Sequence, residues 1–239
     1  MSAKSQKMWA VVPAAGVGSR FGGNIPKQYL DINGKKIIEH ILERLASHPC
    51  IAGIVVAISG QDNYWADIVL PEDTPVVHVK GGAERHHSVL NALVKLTEFA
   101  RGDDWVLVHD AARPCICHDD IDKLITAVIA HSVGGILGVP VTDTIKRVNE
   151  HRQIIATVNR SGLWHAQTPQ MFRLDQLMEA IRHAIDVNAP VTDEASAVEL
   201  RGLSPLMVEG HRDNIKITEP QDLVHAALYL EKQTGQVTA

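Results

Sequence analysis

The chain is poor in cysteine, with Cys50, Cys115 and Cys117 as its only three. Three thiols cannot close a disulfide framework, and Cys115-x-Cys117 lacks the second pair that a structural zinc site needs, so reduced thiols are expected. There is no run of about 18 apolar residues to cross a membrane, and the start MSAKSQKMWAVVPAAG has no apolar signal core. A soluble, cytoplasmic protein with no membrane partner is the expectation. An excess of basic charge is also missing. The formal net charge is −5 and the isoelectric point is near 6.2, so nucleic acid is not an expected partner and any anion site must be a local cluster. That singles out Arg20, Lys27, Arg113, Arg160 and Lys216 as cations to follow.

Several familiar motifs are absent too. No Gly-Lys-Ser/Thr follows a glycine loop, which excludes a Walker A site, and the third glycine of a G-x-G-x-x-G dinucleotide fingerprint would fall at Phe21. Thirteen histidines occur without H-E-x-x-H or any regular ligand spacing, and His86 and His87 are adjacent and so point in different directions. No G-x-S-x-G elbow, internal repeat or low-complexity tract is found.

What remains is a chain of 239 residues and 45% hydrophobic content, enough for one large α/β domain spanning residues 1–239. Short β-branched runs (Trp9 to Val12, Ile54 to Ile58, Val76 to Val79, Trp105 to His109) alternate with helical stripes at Ile37 to Leu45 and Val89 to Leu96. Such alternation predicts a Rossmann-like, mostly parallel sheet flanked by helices. A glycine-containing strand is expected at Gly134 to Pro140. The β-prone, more polar stretch Asp143 to Val158 reads as a projecting hairpin, an arm within residues 140–160. An isolated ribbon is marginal in water, so a second subunit is the expected support. Helices are expected at Leu174 to Ile185, Asp193 to Leu200 and Pro220 to Glu231, and short strands at Leu206 to Val208 and Ile215 to Ile217.

The richest stretch is Val11 to Gln28. An apolar strand expected to end at Pro13 runs into Ala14, Ala15, Gly16 and Gly18, whose backbone N–H groups no large side chain screens. Arg20 and Lys27 then add fixed positive charge, which fits a nucleoside triphosphate. A turn made of small residues for its own sake is the plainer reading of the glycines alone. In parallel sheets ligands sit beyond the carboxyl ends of strands, and three more polar stretches follow strands here. Gly81-Gly82 with Ser88 in the first turn of a helix allows close backbone approach, or is simply a turn. Asp110, at the tip of a buried strand, suits Mg²⁺ beside phosphates, or serves as a helix cap or partner of Arg113. Glu209 to Lys216 offers Asp213 as a second carboxylate and Lys216 as a further cation.

With these pieces in order, the chain resembles the 2-C-methyl-D-erythritol 4-phosphate cytidylyltransferases from about Ala10 to the helix after Pro220. PAAGVGSRFGGNIPKQY, GGAERHHSVLNAL, VLVHDAARP, PVTDTIKR, VNRSGLWHAQTPQMF, VTDEASAVE and DNIKIT carry the resemblance. It implies a nucleotidyltransferase-type fold and, in non-mevalonate isoprenoid biosynthesis, condensation of CTP with methylerythritol phosphate to a CDP-alcohol and pyrophosphate, with Mg²⁺. It also implies a homodimer whose arm reaches the neighbouring site. By that resemblance Arg20 and Lys27 stabilise the attacked phosphate, and Arg160 and Lys216 hold the acceptor phosphate. Ala14, Ala15, Gly16, Gly18, Gly82, Ser88, Asp110 and Ala111 contact the nucleotide, and Arg113, Thr144, Thr168, Thr192 and Asp213 serve the substrate side. The metal falls to Asp110 and Asp213. Ala83 stands where some members have an acidic residue, and the His86-His87 pair is unexpected. A cytidylyltransferase for ribitol 5-phosphate and a silent nucleotide-binding subunit are the rival readings.

Overall fold

The computed structural model describes residues 7–16, 25–233 and 235. Gly18 and Arg20, both expected at the phosphate loop, lie outside the described residues.

Strand β1 (Met8–Ala14) continues through Pro13. Its β6-side ladder ends at Val11, so Pro13 occupies a position with one neighbouring strand and its missing N–H is tolerated. The small hairpin β2 (Asp31–Ile32) and β3 (Lys35–Lys36) turns at Asn33-Gly34, both with positive φ, as a tight two-residue turn demands. Next come α1 (Ile37–Ala46), β4 (Ile51–Ile58), β5 (Val76–Lys80), α2 (Arg85–Leu96), β6 (Trp105–Val108), α3 (His118–Val128) and β7 (Gly135–Pro140). The arm is β8 (Ile145–Val148) and β9 (Ile154–Val158), an antiparallel pair separate from the main sheet. The chain then forms β10 (Trp164–Arg173), α4 (Leu174–Asp186), α5 (Glu194–Leu200), β11 (Leu206–Glu209) and α6 (Pro220–Gln233).

Seven strands make the main sheet in the order β11-β7-β10-β6-β1-β4-β5. All neighbours are parallel except β10, which runs antiparallel between β6 and β7. The parallel central strands β1, β4 and β6 are apolar because both sheet faces are covered. Ala10 and Val12 of β1 point to a core shared with α1, α3 and α6. Val11, with Val55, Val106 and Val108, points to one shared with α2, α4 and α5. Ile41 and Leu93, fully buried on opposite faces, are each worth roughly 1.5–3 kcal/mol of transfer free energy.

Two points differ from the sequence reading. Ile215 to Ile217 is not a strand: Ile217 N–H donates to the Ala112 carbonyl at 2.8 Å, so this stretch is pinned to the loop after β6 rather than to a sheet edge. And β10 has no sequence signal of its own, because His165, Gln167, Thr168 and Gln170 break the apolar pattern of a buried strand.

The chain leaves β1 toward β4 and β5, then returns to place β6 on the other side of β1. A crevice opens at such a reversal, beyond the carboxyl ends of the strands.

Candidate active site

A pocket occupies that crevice. It is lined by Pro13 to Gly16 at the end of β1, Lys27 and Gln28, Gly82 to Arg85 and Ser88 after β5, Asp110 to Ala112 after β6, and Lys216.

The β1 loop is held from behind. The Gln28 amide, buried, donates to the Ala14 carbonyl at 2.7 Å and the Gly16 carbonyl at 3.2 Å, so the loop's N–H groups stay available on the other side. Its neighbour Lys27 donates to the Ile217 carbonyl at 3.0 Å, which brings the lysine beside the segment carrying Lys216.

The β5 loop shows why glycine is required. A Cβ on Gly81 would lie 2.4 Å from the Ala15 Cβ and 2.8 Å from the Ser88 Oγ, and one on Gly82 would lie 2.3 Å from the His87 Cβ. Gly81 thus permits contact with the β1 loop and Gly82 close packing on the start of α2, a stronger requirement than a simple turn. Gly82 N–H donates to the Ser88 Oγ at 3.0 Å, and that hydroxyl donates to the Glu84 carbonyl at 3.2 Å.

Asp110 forms the charged floor. Its Oδ1 accepts from Arg85 Nε at 3.1 Å and lies 3.0 Å from Arg85 Nη2. Its Oδ2 is 2.8 Å from Lys216 Nζ and 3.6 Å from Arg113 Nε. Burial would raise its carboxyl, but Arg85, Lys216 and Arg113 outweigh that and hold it well below the usual carboxylate range. On its far edge Arg85 meets Glu194, with Nη1 to Oε1 at 2.5 Å and Nη2 to Oε2 at 3.1 Å. Burial raises the Glu194 carboxyl, against the pull of Arg85. Three cations and two carboxylates leave this cluster positive, which suits an anionic ligand.

Behind Asp110, buried His109 sets its backbone. His109 Nε2 lies 2.9 Å from the Arg113 carbonyl, which only accepts, so Nε2 carries the proton. Its Nδ1 therefore accepts from the Thr168 hydroxyl at 3.0 Å, and that oxygen accepts the Asp110 N–H at 3.0 Å. Burial pushes the His109 imidazole down to about 4, keeping it neutral near pH 7.

The expected site residues divide into three groups. Ala14, Ala15, Gly16, Lys27, Gly82, Ser88, Asp110, Ala111 and Lys216 line the pocket together. Arg113 and Thr168 stand behind it: Arg113 donates to the Asn214 carbonyl at 2.8 Å, and the Asn214 amide donates to the Thr168 carbonyl at 2.8 Å. Thr144, Arg160 and Thr192 are exposed and line no part of it. Arg160 instead donates to the Thr142 carbonyl.

Asp213, expected as a second metal carboxylate, has its Oδ1 buried without a hydrogen-bond partner. It is not in the pocket lining; the turn at His211 to Asn214 places its charge where it raises the Cys115 and Cys117 thiols, after burial as the larger cause. Asp110 and the rim residue Glu84 are the pocket's carboxylates. Among the described residues Cys117, Asp120 and His211 do gather outside this pocket, already paired through His211 Nδ1 and Asp120 at 2.7 Å.

Arg85, Glu194, Gln28, His109 and Asn214 carry much of the arrangement and drew no role from the sequence. Arg85 and Glu194 stand in distinctive stretches, but a pair 109 residues apart leaves no local pattern.

The chain is similar along nearly its whole length to proteins of one family. Residues 8–232 match the family model described as 2-C-methyl-D-erythritol 4-phosphate cytidylyltransferase. Proteins of that name from Vibrio atlanticus (strain LGP32) and Vibrio vulnificus (strain YJ016) are 53% and 50% identical, covering 97% and 98% of this chain and 99% and 98% of their own. The crystal structure of the Francisella tularensis protein of that name superposes with TM-score 0.81 at 39% identity, over 93% of this chain and 99% of that one. The crystal structure from Thermus thermophilus gives 0.75 at 30% identity, over 93% and 98%. With a matching pocket-bearing fold and a family match across nearly its whole length, the chain belongs to the 2-C-methyl-D-erythritol 4-phosphate cytidylyltransferase family.

Proposed function

We propose that this pocket binds CTP and joins its cytidylyl group to the phosphate of 2-C-methyl-D-erythritol 4-phosphate, giving the CDP-alcohol and pyrophosphate. The observation that carries the reading is the convergence of Lys27 and Lys216 on a crevice whose β1 loop presents unscreened backbone beside the Asp110 cluster. The family match favours this acceptor over ribitol 5-phosphate. Both substrates are small soluble anions, a reaction for the cytoplasm.

An oxygen of the acceptor phosphate attacks the α-phosphorus of CTP as the bond to the bridging oxygen of the leaving pyrophosphate breaks. Such transfer between anions needs alignment and charge neutralisation more than an acid or base. Ala14, Ala15, Gly16, Gly82, Ser88 and Ala111 hold the nucleotide. Lys27, with Arg20 from the neighbouring sequence, stabilises the charge on the attacked phosphate. Lys216, 39% exposed, exchanges its contact with Asp110 for the acceptor phosphate.

Asp110 fits a hard divalent cation as a single carboxylate, since Mg²⁺ takes one or two carboxylates together with phosphate oxygens and water. Asp213, whose Oδ1 is buried without a hydrogen-bond partner, is the candidate companion carboxylate outside the pocket lining. Mg²⁺ held there would neutralise phosphate charge.

The acceptor side is completed by a second copy. The arm exposes Val148, Ile154 and Ile155 at 49%, 65% and 60%, apolar side chains on both faces of a ribbon that is marginal in water by itself. Thr144 and Arg160 at its base would enter the partner's pocket in a homodimer.

Pyrophosphate release from CTP, UTP, ATP and GTP against methylerythritol 4-phosphate, ribitol 5-phosphate and no acceptor, with and without Mg²⁺, tests the reading. Release confined to CTP, methylerythritol 4-phosphate and Mg²⁺ is expected. A preference for ribitol phosphate would replace the acceptor, and silence under all conditions would favour a binding subunit.

A further inference from the structure

We infer that Glu194 is a positioning residue for this transfer: by gripping the outer edge of the Arg85 guanidinium it fixes the inner edge that holds Asp110, leaving Lys216 as the cation that moves. The inference rests on the cytidylyl-transfer reading of the pocket.

A guanidinium has a planar fork that can engage two carboxylates at once, which an ammonium cannot do with fixed geometry. Arg85 uses both edges, toward Glu194 through Nη1 and Nη2 and toward Asp110 through Nε and Nη2. The exposures rank the three cations on Asp110: side chains are 11% exposed for Arg113, 29% for Arg85 and 39% for Lys216. Arg113 is further tied to the Asn214 carbonyl. An incoming phosphate therefore finds Lys216 the most accessible and least anchored of the three.

Glu194 is itself immobilised. Its side chain is 1% exposed and does not line the pocket. It is the first residue of α5, capped by Asp193, whose Oδ1 accepts the Ser196 N–H at 2.9 Å. Gln170 of β10 clamps the same turn, donating to Asp193 Oδ2 at 2.9 Å and accepting the Ala195 N–H at 2.9 Å. Burying a carboxylate carries a large desolvation cost, and a buried ion pair is weak grounds for stability. A packed apolar residue would seat α5 as well; a carboxylate is needed only to hold a cation in place.

Without Glu194 the released guanidinium turns toward the triphosphate. That adds ground-state binding and misplaces Asp110, so turnover falls while affinity for CTP is kept. The test is steady-state kinetics of pyrophosphate release with the full chain, CTP, methylerythritol 4-phosphate and Mg²⁺, with thermal unfolding of each variant. Glu194→Gln is expected to lower kcat roughly tenfold or more with KM for CTP no higher than in the wild type. Arg85→Gln is expected to lose at least as much, and the double variant no more than Arg85→Gln alone, the non-additivity of residues acting as one unit. Glu179→Gln, which removes a surface pair between α4 and Arg201 just after α5, should leave kcat unchanged. A purely structural Glu194 would lower the unfolding temperature and leave kcat of the folded variant at the wild-type value, which overturns the role. Should Glu194→Gln fail to fold, Arg85→Lys keeps the charge, loses the fork and is read in the same way. A silent wild type overturns the reaction and this role together; an active wild type with an unchanged variant overturns the role alone.

Discussion

At the pocket floor, Arg85, Arg113 and Lys216 surround one carboxylate, and buried groups of β10 and α5 fix the two arginines in turn. On the arm, Arg160 is exposed, donates to the Thr142 carbonyl, and stands near apolar side chains open to water. The same kind of cation is thus held by the fold in one region and left to assembly in the other. Under the proposed homodimer, nucleotide binding is a property of one copy, whereas acceptor capture needs two.

The sharpest break of that comparison is Lys27→Ala. The variant should fold and still dimerise, yet lose roughly 10²-fold or more in turnover, the scale for deleting a transition-state charge donor; turnover within a few-fold of wild type would remove Lys27 from the chemistry. Acid should also act on the floor. The His109 imidazole, pushed down to about 4 by burial and facing Asp110 and Arg113, titrates near 6.5 when unfolded. Between those values the unfolded chain binds a proton that the folded chain refuses, so stability is full above pH 6.5 and falls by about 3 kcal/mol on going down to pH 4. His48 and His86, also lowered by burial, act in the same sense. Denaturant titrations at several pH values should show that slope, and His109→Gln should flatten it; parallel slopes for the two proteins would count against the buried neutral imidazole.

Thr168→Val comes next in size. It strips the Asp110 N–H and His109 Nδ1 of their shared partner, a loss of about 1–3 kcal/mol for buried polar groups left unpaired. Unfolding temperature measures it, and an unchanged value would mean that the hydroxyl bridge carries no weight. The smallest effect is expected on the arm. Ile154→Asp with Ile155→Asp should yield a folded monomer by sedimentation, with CTP affinity retained and a rise in the acceptor KM of roughly tenfold, about 1.4 kcal/mol. A fully active monomer would dissolve the division between the two regions.

Much of the first region is legible in the sequence. Small residues after β1, the glycines after β5 and the aspartate after β6 announce themselves because each follows an apolar run whose end must face the ligand edge of a parallel sheet. Their supports are not legible. Glu194 looks like an ordinary first-turn acid, Gln28 like a surface amide and Asn214 like a loop residue, because long-range pairing leaves no periodicity behind. The hairpin at 143–158 is legible from alternation, while β10 hides behind polar residues that serve the site rather than the core.

The antiparallel placement of β10 also governs the order in which the molecule can be made. Residues 164–173 wedge between β6 and β7, so a nascent chain that has already delivered both neighbours must hold an open edge until these residues emerge. Only then can Asn214, Thr168 and Glu194 close around Asp110. Loop closure over such separations is slow, and unpaired edges invite misassociation in the meantime. Fragments ending before β10 are therefore expected to aggregate, and nucleotide affinity to arise among the last steps of folding.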